Sequence, residues 1–126
     1  MRDDDVRTAL QGHWDASDAD KSEAEHEIYA DQAVLDYPQS GERLRGRARI
    51  RAARAAQPDR KRFTVRRMFG AGGLWITELV MTYDDHPYHV VSIMEFEGTK
   101  VIHETQYFGE PFEPGTSRAQ WVEAMD

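Results

Sequence analysis

The chain has 126 residues, no cysteine and a formal net charge of −7. This length predicts a single domain over residues 1–126, which can bury roughly two thirds of the surface that its unfolded chain exposes. The composition excludes disulfides, thiolate metal sites and a cysteine nucleophile, and the acidic N-terminus and the absence of a long apolar run predict a cytoplasmic protein that does not associate with membranes.

Two helices are predicted at the start of the chain. The first covers residues 4–16, because apolar residues recur there on one face of a 3.6-residue period: Val6, Leu10 and Trp14. The second covers residues 22–29, where Ser22 and Glu25 form a capping-box pattern. Both helices therefore precede the first strand.

A strand, a turn and a third helix follow. Residues 33–37 have strand character, and Pro38 ends the pairing because it lacks a backbone donor. Residues 39–42 include Ser40 and Gly41, residue types that are common in turns, and therefore predict a turn. The alanine- and arginine-rich stretch 47–57 predicts a helix that ends at the next proline.

The second half of the chain predicts a β-meander. Four strands separated by short turns are expected at residues 63–69, 74–83, 88–97 and 100–108. Because these strands follow the helices rather than alternating with them, the fold class is α+β, with helices on one face of a curved antiparallel sheet. A short helix from Ser117, anchored by Trp121, is expected in the tail.

Charge is distributed unevenly along the chain. Residues 1–36 hold eleven acidic and three basic residues, whereas residues 43–67 hold eleven of the sixteen arginines and lysines. The arginines of the third helix fall on several sides of it rather than along one stripe with aromatic neighbours. We therefore expect no nucleic-acid binding. The acidic residues of 1–36 are able to form ion pairs with the basic residues of 43–67.

Three strings resemble the SnoaL-like branch of the nuclear transport factor 2-like superfamily: YADQAVLDYPQSGERLRGRARIRA, LWITELVMTYDDHPYHVVSIMEFEGTKVIHETQYF and RAQWVE. The resemblance implies a cone-like, strongly curved antiparallel sheet with three helices from the N-terminal half closing a cavity, a cystatin-like α+β barrel, and usually a homodimer. The superfamily includes ketosteroid isomerases, limonene-epoxide hydrolases, polyketide cyclases, dehydratases and non-catalytic modules, so the fold alone does not choose an activity.

The resemblance also locates the positions that carry carboxylates in similar enzymes, and other residues occupy them here. The acid of the last strand corresponds to Gln106, and the acid of the preceding strand corresponds to Ser92. The catalytic aspartate of ketosteroid isomerases precedes the strand-ending proline, where this chain has Tyr37. Asp36 lies one position earlier and faces the opposite side. The inward set of the last strand would be Ile102, Glu104, Gln106 and Phe108.

Glu104 and Glu78 remain as candidate acid–base groups, with Tyr37 as a hydrogen-bond donor. Glu78 lies in an apolar stretch of its strand, either facing the pocket or pairing with Arg66 or Arg67. A carboxylate buried without a cation resists ionisation, which suits a general acid, whereas a paired one is structural. A shift of one position would put Thr77 on the wall instead of Glu78.

Further residues are candidates for the ligand-binding wall, with the core as the alternative for the aromatic ones: Trp14, Tyr29, Ser92, Met94, Gln106 and Phe108. His13 faces either the pocket or the surface. No metal is expected, because His86 and His89 lie on a turn without a third well-spaced ligand. No cofactor is expected, because the chain has no dinucleotide or phosphate-loop motif.

Two functions remain open. The first is binding of a small hydrophobic molecule, with proton-transfer chemistry of the isomerase, cyclase or dehydratase type on a carbonyl compound. The second is a non-catalytic ligand-binding or dimerisation module in which arginines neutralise the pocket carboxylates. In either case a homodimer through the outer face of the sheet is expected, because that face would carry Val91, Ile93, Val101 and Tyr107.

Overall fold

The computed structural model describes residues 2–125. It contains, in chain order, α1 (Asp3–Asp18), α2 (Ser22–His26), β1 (Tyr29–Tyr37), β2 (Glu42–Arg45), α3 (Arg47–Ala56), β3 (Lys61–Ala71), β4 (Leu74–Tyr83), β5 (His86–Glu97), β6 (Lys100–Gly109) and a 3-10 turn (Thr116–Arg118). The first three predicted helices and the predicted strands are present, although α2 is shorter than predicted and Tyr29 begins β1 instead of ending α2. The strand β2 is additional. Within residues 2–125, no helix has the length and apolar character needed to cross a membrane.

The six strands form one curved, unclosed sheet in the order β2-β1-β6-β5-β4-β3. Strands β3 to β6 pair antiparallel with their successive neighbours, as a meander requires. The pairing of β1 differs from the expectation of a purely antiparallel sheet, because β1 runs parallel to β6. The sheet is therefore mixed, with β2 and β3 at its edges, and the predicted α+β cone is confirmed.

The hairpin between β1 and β2 explains where the first strand ends. Tyr37 is the last paired residue of β1 and lies opposite Glu42. Pro38 follows it, and Gly41 adopts φ +75° while its amide donates to the Tyr37 carbonyl at 2.9 Å. Gly46 then turns the chain into α3 with φ +93°, a conformation that favours glycine.

The helices cover one face of the sheet and create the core. The apolar stripe of α1, Val6, Leu10 and Trp14, is buried as its spacing predicts, and α3 adds the fully buried Ile50. The strands contribute buried side chains from the facing surface: Trp75, Leu79, Met81, Val90 and Met94. Burying each large apolar side chain of this kind stabilises the fold by roughly 1.5–3 kcal/mol.

A bulge between β5 and β6 changes which residues of β6 face the core. Phe96 pairs with Val101 and Glu95 pairs with His103, which leaves Ile102 without an opposite residue. Val101 is 0% exposed and Ile102 is 41% exposed. Two predictions are therefore wrong: Val101 does not lie on the outer face, and Ile102 does not belong to the inward set. Beyond the bulge the predicted alternation holds.

The C-terminal tail departs from the predicted short helix. The segment forms only a 3-10 turn at Thr116–Arg118. Trp121 is largely exposed rather than anchored in the core, and its neighbour Val122 is exposed as well. The expectation that Trp121 anchors a helix is wrong for the single chain, because the side chain is largely exposed.

Candidate functional site

A cavity of about 180 Å³ lies where α1, α2 and α3 meet the inner face of the sheet. Its apolar wall is mainly aromatic and includes Trp14, Tyr37, Phe63, Tyr83 and Phe108. Its polar lining includes His13, Glu25, Arg54, Lys61 and Gln106. A concave site with aromatic walls and a few polar groups is typical of small-molecule binding.

Trp14 is held in the wall by the sheet opposite it. The indole Nε1–H donates to Thr77 Oγ1 at 3.1 Å, in the buried interior. The Trp14 and Phe63 rings lie with their centroids 6.1 Å apart. This hydrogen bond and this aromatic contact fix the indole, so one side of the cavity is rigid before any ligand enters.

His13 brings an uncharged imidazole to the same wall. Its Nδ1 lies 2.6 Å from the Glu25 carbonyl oxygen. A carbonyl oxygen only accepts, so Nδ1 carries the proton and donates. Burial, followed by the positive charge of Arg54, lowers the pKa of His13 to about 4. The ring is therefore neutral near physiological pH.

A buried polar network lies next to the cavity and is centred on Glu104. Its carboxylate accepts hydrogen bonds from the Tyr29 hydroxyl, from Ser92 Oγ at 2.6 Å and from Arg54 Nη2 at 3.3 Å. Burial raises the pKa of Tyr29 well above its ordinary value, which keeps its hydroxyl protonated as a donor. The register places Glu104 opposite Met94 on β5. The carboxylate is thus neutralised and hydrogen-bonded, as a buried charge must be.

Arg54 connects this network to the cavity. Its Nη1 donates to the Tyr29 hydroxyl at 3.0 Å and to His26 Nε2 at 3.3 Å, and it lies 4.0 Å from a Glu25 carboxylate oxygen. The guanidinium is mostly buried although it comes from the arginine-rich helix. One arginine therefore neutralises Glu104, approaches Glu25 and contributes a charged patch to the wall.

Tyr37 lies on the wall, as the sequence predicts. Its ring centroid is 6.0 Å from that of Phe108, and both residues line the cavity. Burial raises the pKa of Tyr37 above its ordinary value. The hydroxyl therefore stays protonated and is able to donate a hydrogen bond to a ligand oxygen.

Glu78 does not reach the cavity, which corrects its expected placement as an interior acid–base group. It lies on the outer face of β4 and pairs with Arg67, the Arg67 Nε to Glu78 Oε1 distance being 3.0 Å. Thr77, its neighbour, is buried on the inner face instead. Side chains alternate along β4, so Thr77 points to the interior and Glu78 points outward. Of the two alternatives for Glu78, the structure has the ion pair with Arg67.

The remaining predicted site residues divide into two groups. Trp14, Gln106 and Phe108 line the cavity. Tyr29, Ser92, Met94 and Glu104 are buried, but they belong to the layer next to the cavity rather than to its wall. Within residues 2–125, no group of three histidine, cysteine, aspartate or glutamate side chains is placed to hold a metal ion.

The sequence interpretation missed several lining residues, among them Arg54, Lys61, Phe63 and Tyr83. The sequence does not distinguish Arg54 from the other arginines of α3. Only the packing of the structure shows that its side chain is mostly buried and lines the cavity. Lys61 donates from Nζ to the Arg54 carbonyl at 2.9 Å, and burial lowers its pKa from the ordinary value. In the sequence, the apolar residues Phe63 and Val65 stand at alternate positions of β3, and this is the signal that β3 has an inward face.

A larger polar cleft of about 860 Å³ adjoins the cavity. Five residues line both spaces: Glu25, Arg54, Gln57, Lys61 and Phe63. The cleft wall carries both signs of charge, including Asp18, which is held by Arg62 at 2.8 Å. The cleft therefore forms a polar approach to the smaller aromatic space.

Comparison with known proteins agrees with this architecture. The model of the SnoaL-like domain matches residues 7–104. Among solved structures, the chain is similar to a nuclear transport factor 2-like protein of unknown function from Burkholderia xenovorans, with 50% identity, a TM-score of 0.93, and coverage of 100% of this chain and 99% of that chain. None of the curated proteins compared with the chain matches it.

Two other solved structures share the fold at lower identity. One is a candidate ketosteroid isomerase from Kribbella flavida, with 24% identity, a TM-score of 0.88, and coverage of 100% of this chain and 94% of that chain. The other is an LEH-like epoxide hydrolase from M. tuberculosis, with 16% identity, a TM-score of 0.68, and coverage of 82% of this chain and 81% of that chain. Because the family model covers most of the sequence, the chain belongs to the SnoaL-like domain family.

Proposed function

We propose that the protein binds a small organic molecule with a single ring in the aromatic cavity. The observation that carries the proposal is the concave space of about 180 Å³ lined by Trp14, Phe63, Tyr83 and Phe108. Aromatic walls stabilise an apolar ring by burial and by edge or offset contacts. The polar groups at the margin supply the hydrogen bonds that orient it.

The volume of the cavity limits the ligand. An apolar protein cavity of about 150 Å³ is known to admit benzene, so a space of about 180 Å³ fits one ring with a small substituent. A fused four-ring compound exceeds it. The proposal therefore favours a compact ligand over the steroid-like and polyketide-like molecules that the superfamily suggests, with any longer polar substituent directed toward the adjoining cleft.

The carboxylates favour binding over acid–base turnover. Glu104 accepts three hydrogen bonds, one of them from Arg54, and Glu78 pairs with Arg67 on the outer face. Glu25, which lines the cavity, lies 4.0 Å from Arg54. A carboxylate held by an arginine is a poor general base, because proton uptake would break the pair. The module without carboxylate catalysis is thus the better supported of the two functions.

Proton transfer on a small carbonyl compound is the second candidate function. It is favoured by the protonated hydroxyl of Tyr37 and the amide of Gln106, which both line the cavity. Such donors stabilise negative charge that develops on a carbonyl oxygen. In this reading neither Glu78 nor Glu104 serves as the base.

A binding experiment with two matched variants tests the main proposal. Toluene, cyclohexanone and a four-ring steroid would be titrated into the protein by calorimetry. We expect the single-ring compounds to bind and the steroid not to bind. Ala53→Trp, at the cavity margin, should weaken toluene binding at least tenfold, whereas Ala52→Trp, next to it on α3 and outside the cavity lining, should not. Equal effects of the two variants would contradict the location.

We also propose that two copies of the chain associate through the outer face of the sheet. Val91 and Tyr107 are exposed neighbours across β5 and β6, and Phe69, Ile76 and Ile93 form a second row across β3, β4 and β5. Apolar side chains of the tail are exposed too, among them Phe112, Trp121 and Met125. Exposed apolar side chains that are neighbours on one face of a sheet are typical of an interface, and a self-complementary dimer covers them.

Light scattering tests the dimer. We expect a mass of twice the 14.5 kDa of one chain for the wild type. Val91→Arg, which puts a charge at the centre of the face, should give the single-chain mass, whereas Glu23→Arg on α2 should leave the dimer intact. A wild-type mass of one chain in dilute buffer would exclude the proposal.

A further inference from the structure

Two buried histidines of the site adopt the same tautomer. Nδ1 of His13 lies 2.6 Å from the Glu25 carbonyl oxygen, and Nδ1 of His26 lies 2.7 Å from the Ser22 carbonyl oxygen. In both, Nδ1 donates its proton to a carbonyl. In the neutral ring, Nε2 is then a hydrogen-bond acceptor with a free lone pair.

The two Nε2 atoms differ in what they contact. Nε2 of His26 receives a hydrogen bond from Arg54 Nη1 at 3.3 Å. Nε2 of His13 has no hydrogen-bond partner among residues 2–125, although the side chain is only 2% exposed. Within the same residues, every fully enclosed side-chain nitrogen or oxygen has a partner. Nε2 of His13 must therefore border open space, and the space that His13 lines is the aromatic cavity.

We propose that Nε2 of His13 accepts a hydrogen bond from the ligand, so that the preferred ligand is a single-ring compound with a hydroxyl group, such as a phenol. The inference rests on the binding function proposed above and specifies its ligand class. A buried acceptor without a partner disfavours an apolar ligand and favours one that donates to it. The ring of such a ligand lies against Trp14, whose centroid is 4.5 Å from that of His13.

The other polar groups of the wall fit this assignment. Tyr37, Gln106 and Lys61 offer donors. Glu25 is a further acceptor, with Arg54 4.0 Å from it. A hydroxyl group both donates and accepts. It is therefore able to donate to Nε2 of His13 while accepting from one of the donors, which a carbonyl oxygen or a methyl group is not.

The charges around His13 keep Nε2 an acceptor over the ordinary pH range. Titratable groups face it from each neighbouring element: Glu25 and His26 on α2, Tyr29 and Tyr37 on β1, Arg54 on α3, Lys61 on β3 and Tyr83 on β4. Burial and then Arg54 lower the pKa of His13 to about 4, against the opposing effect of the hydrogen bond to Glu25. The hydroxyl preference should therefore be constant from pH 8 to pH 5 and decrease toward pH 4, as Nε2 takes up a proton.

A pair of nearly isosteric ligands tests the inference. Phenol and toluene would be titrated by calorimetry into the wild type and His13→Asn, whose amide retains a donor for the Glu25 carbonyl but has no ring acceptor. We expect the wild type to bind phenol about tenfold more tightly than toluene, because one buried hydrogen bond is gained. His13→Asn should remove this preference, so that phenol and toluene bind the variant with similar affinity. His26→Asn is the matched control and should keep the preference.

A second measurement does not depend on the folding of a variant. In nitrogen-15 NMR of the wild type, phenol but not toluene should shift the Nε2 resonance of His13 and leave that of His26 in place. Equal affinities for phenol and toluene, or a phenol shift confined to His26, would overturn the role of His13 and leave the binding function intact. Failure of both ligands to bind would overturn the binding function and the inference together.

Discussion

The two faces of the sheet carry the same kind of ion pair in two different environments. On the inner face, Glu104 and Arg54 are 3.3 Å apart, and their side chains are 0% and 14% exposed. On the outer face, Glu78 and Arg67 are 3.0 Å apart, and their side chains are 37% and 68% exposed. The outer pair has the shorter contact, yet we expect the loss of one partner to reduce the free energy of unfolding more at the inner pair.

The reason is that solvent, rather than distance, sets the strength and the cost of the two pairs. In the single chain, water screens the outer pair and solvates either partner when the other is removed, so its contribution there is about 0–1 kcal/mol. The inner pair lies where the effective dielectric constant is low, so losing one partner leaves a buried charge without an opposite charge. This difference between the two faces leads to four predictions.

Removal of the inner arginine should have the largest effect. Arg54→Met leaves the Glu104 carboxylate with only Tyr29 and Ser92 as partners, and it should lower the free energy of unfolding by about 3–5 kcal/mol. Arg67→Met, the matched change on the outer face, should cost less than about 1 kcal/mol. Urea unfolding of the two variants measures both values.

A second substitution separates an unpaired charge from a general loss of packing. Because Glu104→Gln removes the uncompensated charge, Arg54→Met combined with Glu104→Gln should be more stable than Arg54→Met alone. If the stability loss of the double variant equals the sum of the losses of the two single variants, Arg54 and Glu104 are not energetically coupled. The inner pair would then be no stronger than the solvent-exposed pair of Glu78 and Arg67.

The pH dependence of stability should reveal the inner histidine. The pKa of His13 falls from 6.5 in the unfolded chain to about 4 in the folded protein. Between these values the unfolded state binds a proton that the folded state excludes, so the free energy of unfolding decreases as the pH falls from about 6.5 to about 4, by about 3 kcal/mol. His26, whose pKa is also lowered by burial, acts in the same direction.

His13→Asn should flatten this acid slope in urea unfolding measured at several pH values. The outer face contributes in a separate window: hydrogen bonding to Arg43 lowers the pKa of Asp36 to about 2, so its stabilising effect is lost only as the pH falls from about 4 to about 2. A slope between pH 6.5 and pH 4 that is identical in the wild type and His13→Asn would contradict the buried, neutral imidazole.

A smaller effect is expected for the hydrogen bond that fixes the cavity wall. Trp14→Phe removes the donor to Thr77 Oγ1 and should cost about 0.5–1.5 kcal/mol for the hydrogen bond, together with weaker toluene binding. Trp121→Phe in the exposed tail should change neither stability nor toluene binding, and calorimetry of both variants gives the comparison. Equal losses for the two tryptophans would contradict the assigned role of Trp14.

The smallest effect is expected for Glu78. Glu78→Gln should change the free energy of unfolding by less than about 1 kcal/mol, and added salt should reduce even this difference, because the pair with Arg67 is half-exposed. Unfolding curves at low and high salt test it. A loss of several kcal/mol would place Glu78 in an environment like that of Glu104.

Much of the fold follows from local patterns in the sequence. The helical spacing of Val6, Leu10 and Trp14 predicts the buried stripe of α1, and all three residues are buried. Turn chemistry predicts the meander of the second half. The parallel pairing of β1 with β6 joins segments far apart in the chain, and no local pattern indicates it. No local pattern indicates the bulge at Ile102 either, because the bulge depends on how β5 and β6 pair.

The site was less predictable than the fold. The family resemblance predicts a place near the cavity for Trp14, Tyr37, Gln106 and Phe108, and all four residues line it. Arg54 has the same local sequence character as Arg51, yet only Arg54 contacts Glu104. His13 was ambiguous between pocket and surface, because a helix face indicates burial without indicating what lies against it.

By itself, the sequence determined which residues alternate: Thr77 and Glu78 had to point to opposite sides of β4, because side chains alternate along a strand. Only the tertiary structure decided which side is the interior, since a period of two is symmetric and α1 covers just one face of the sheet. That choice made Glu78 a surface ion pair, left Glu104 buried with Arg54, and brought a neutral His13 to the cavity.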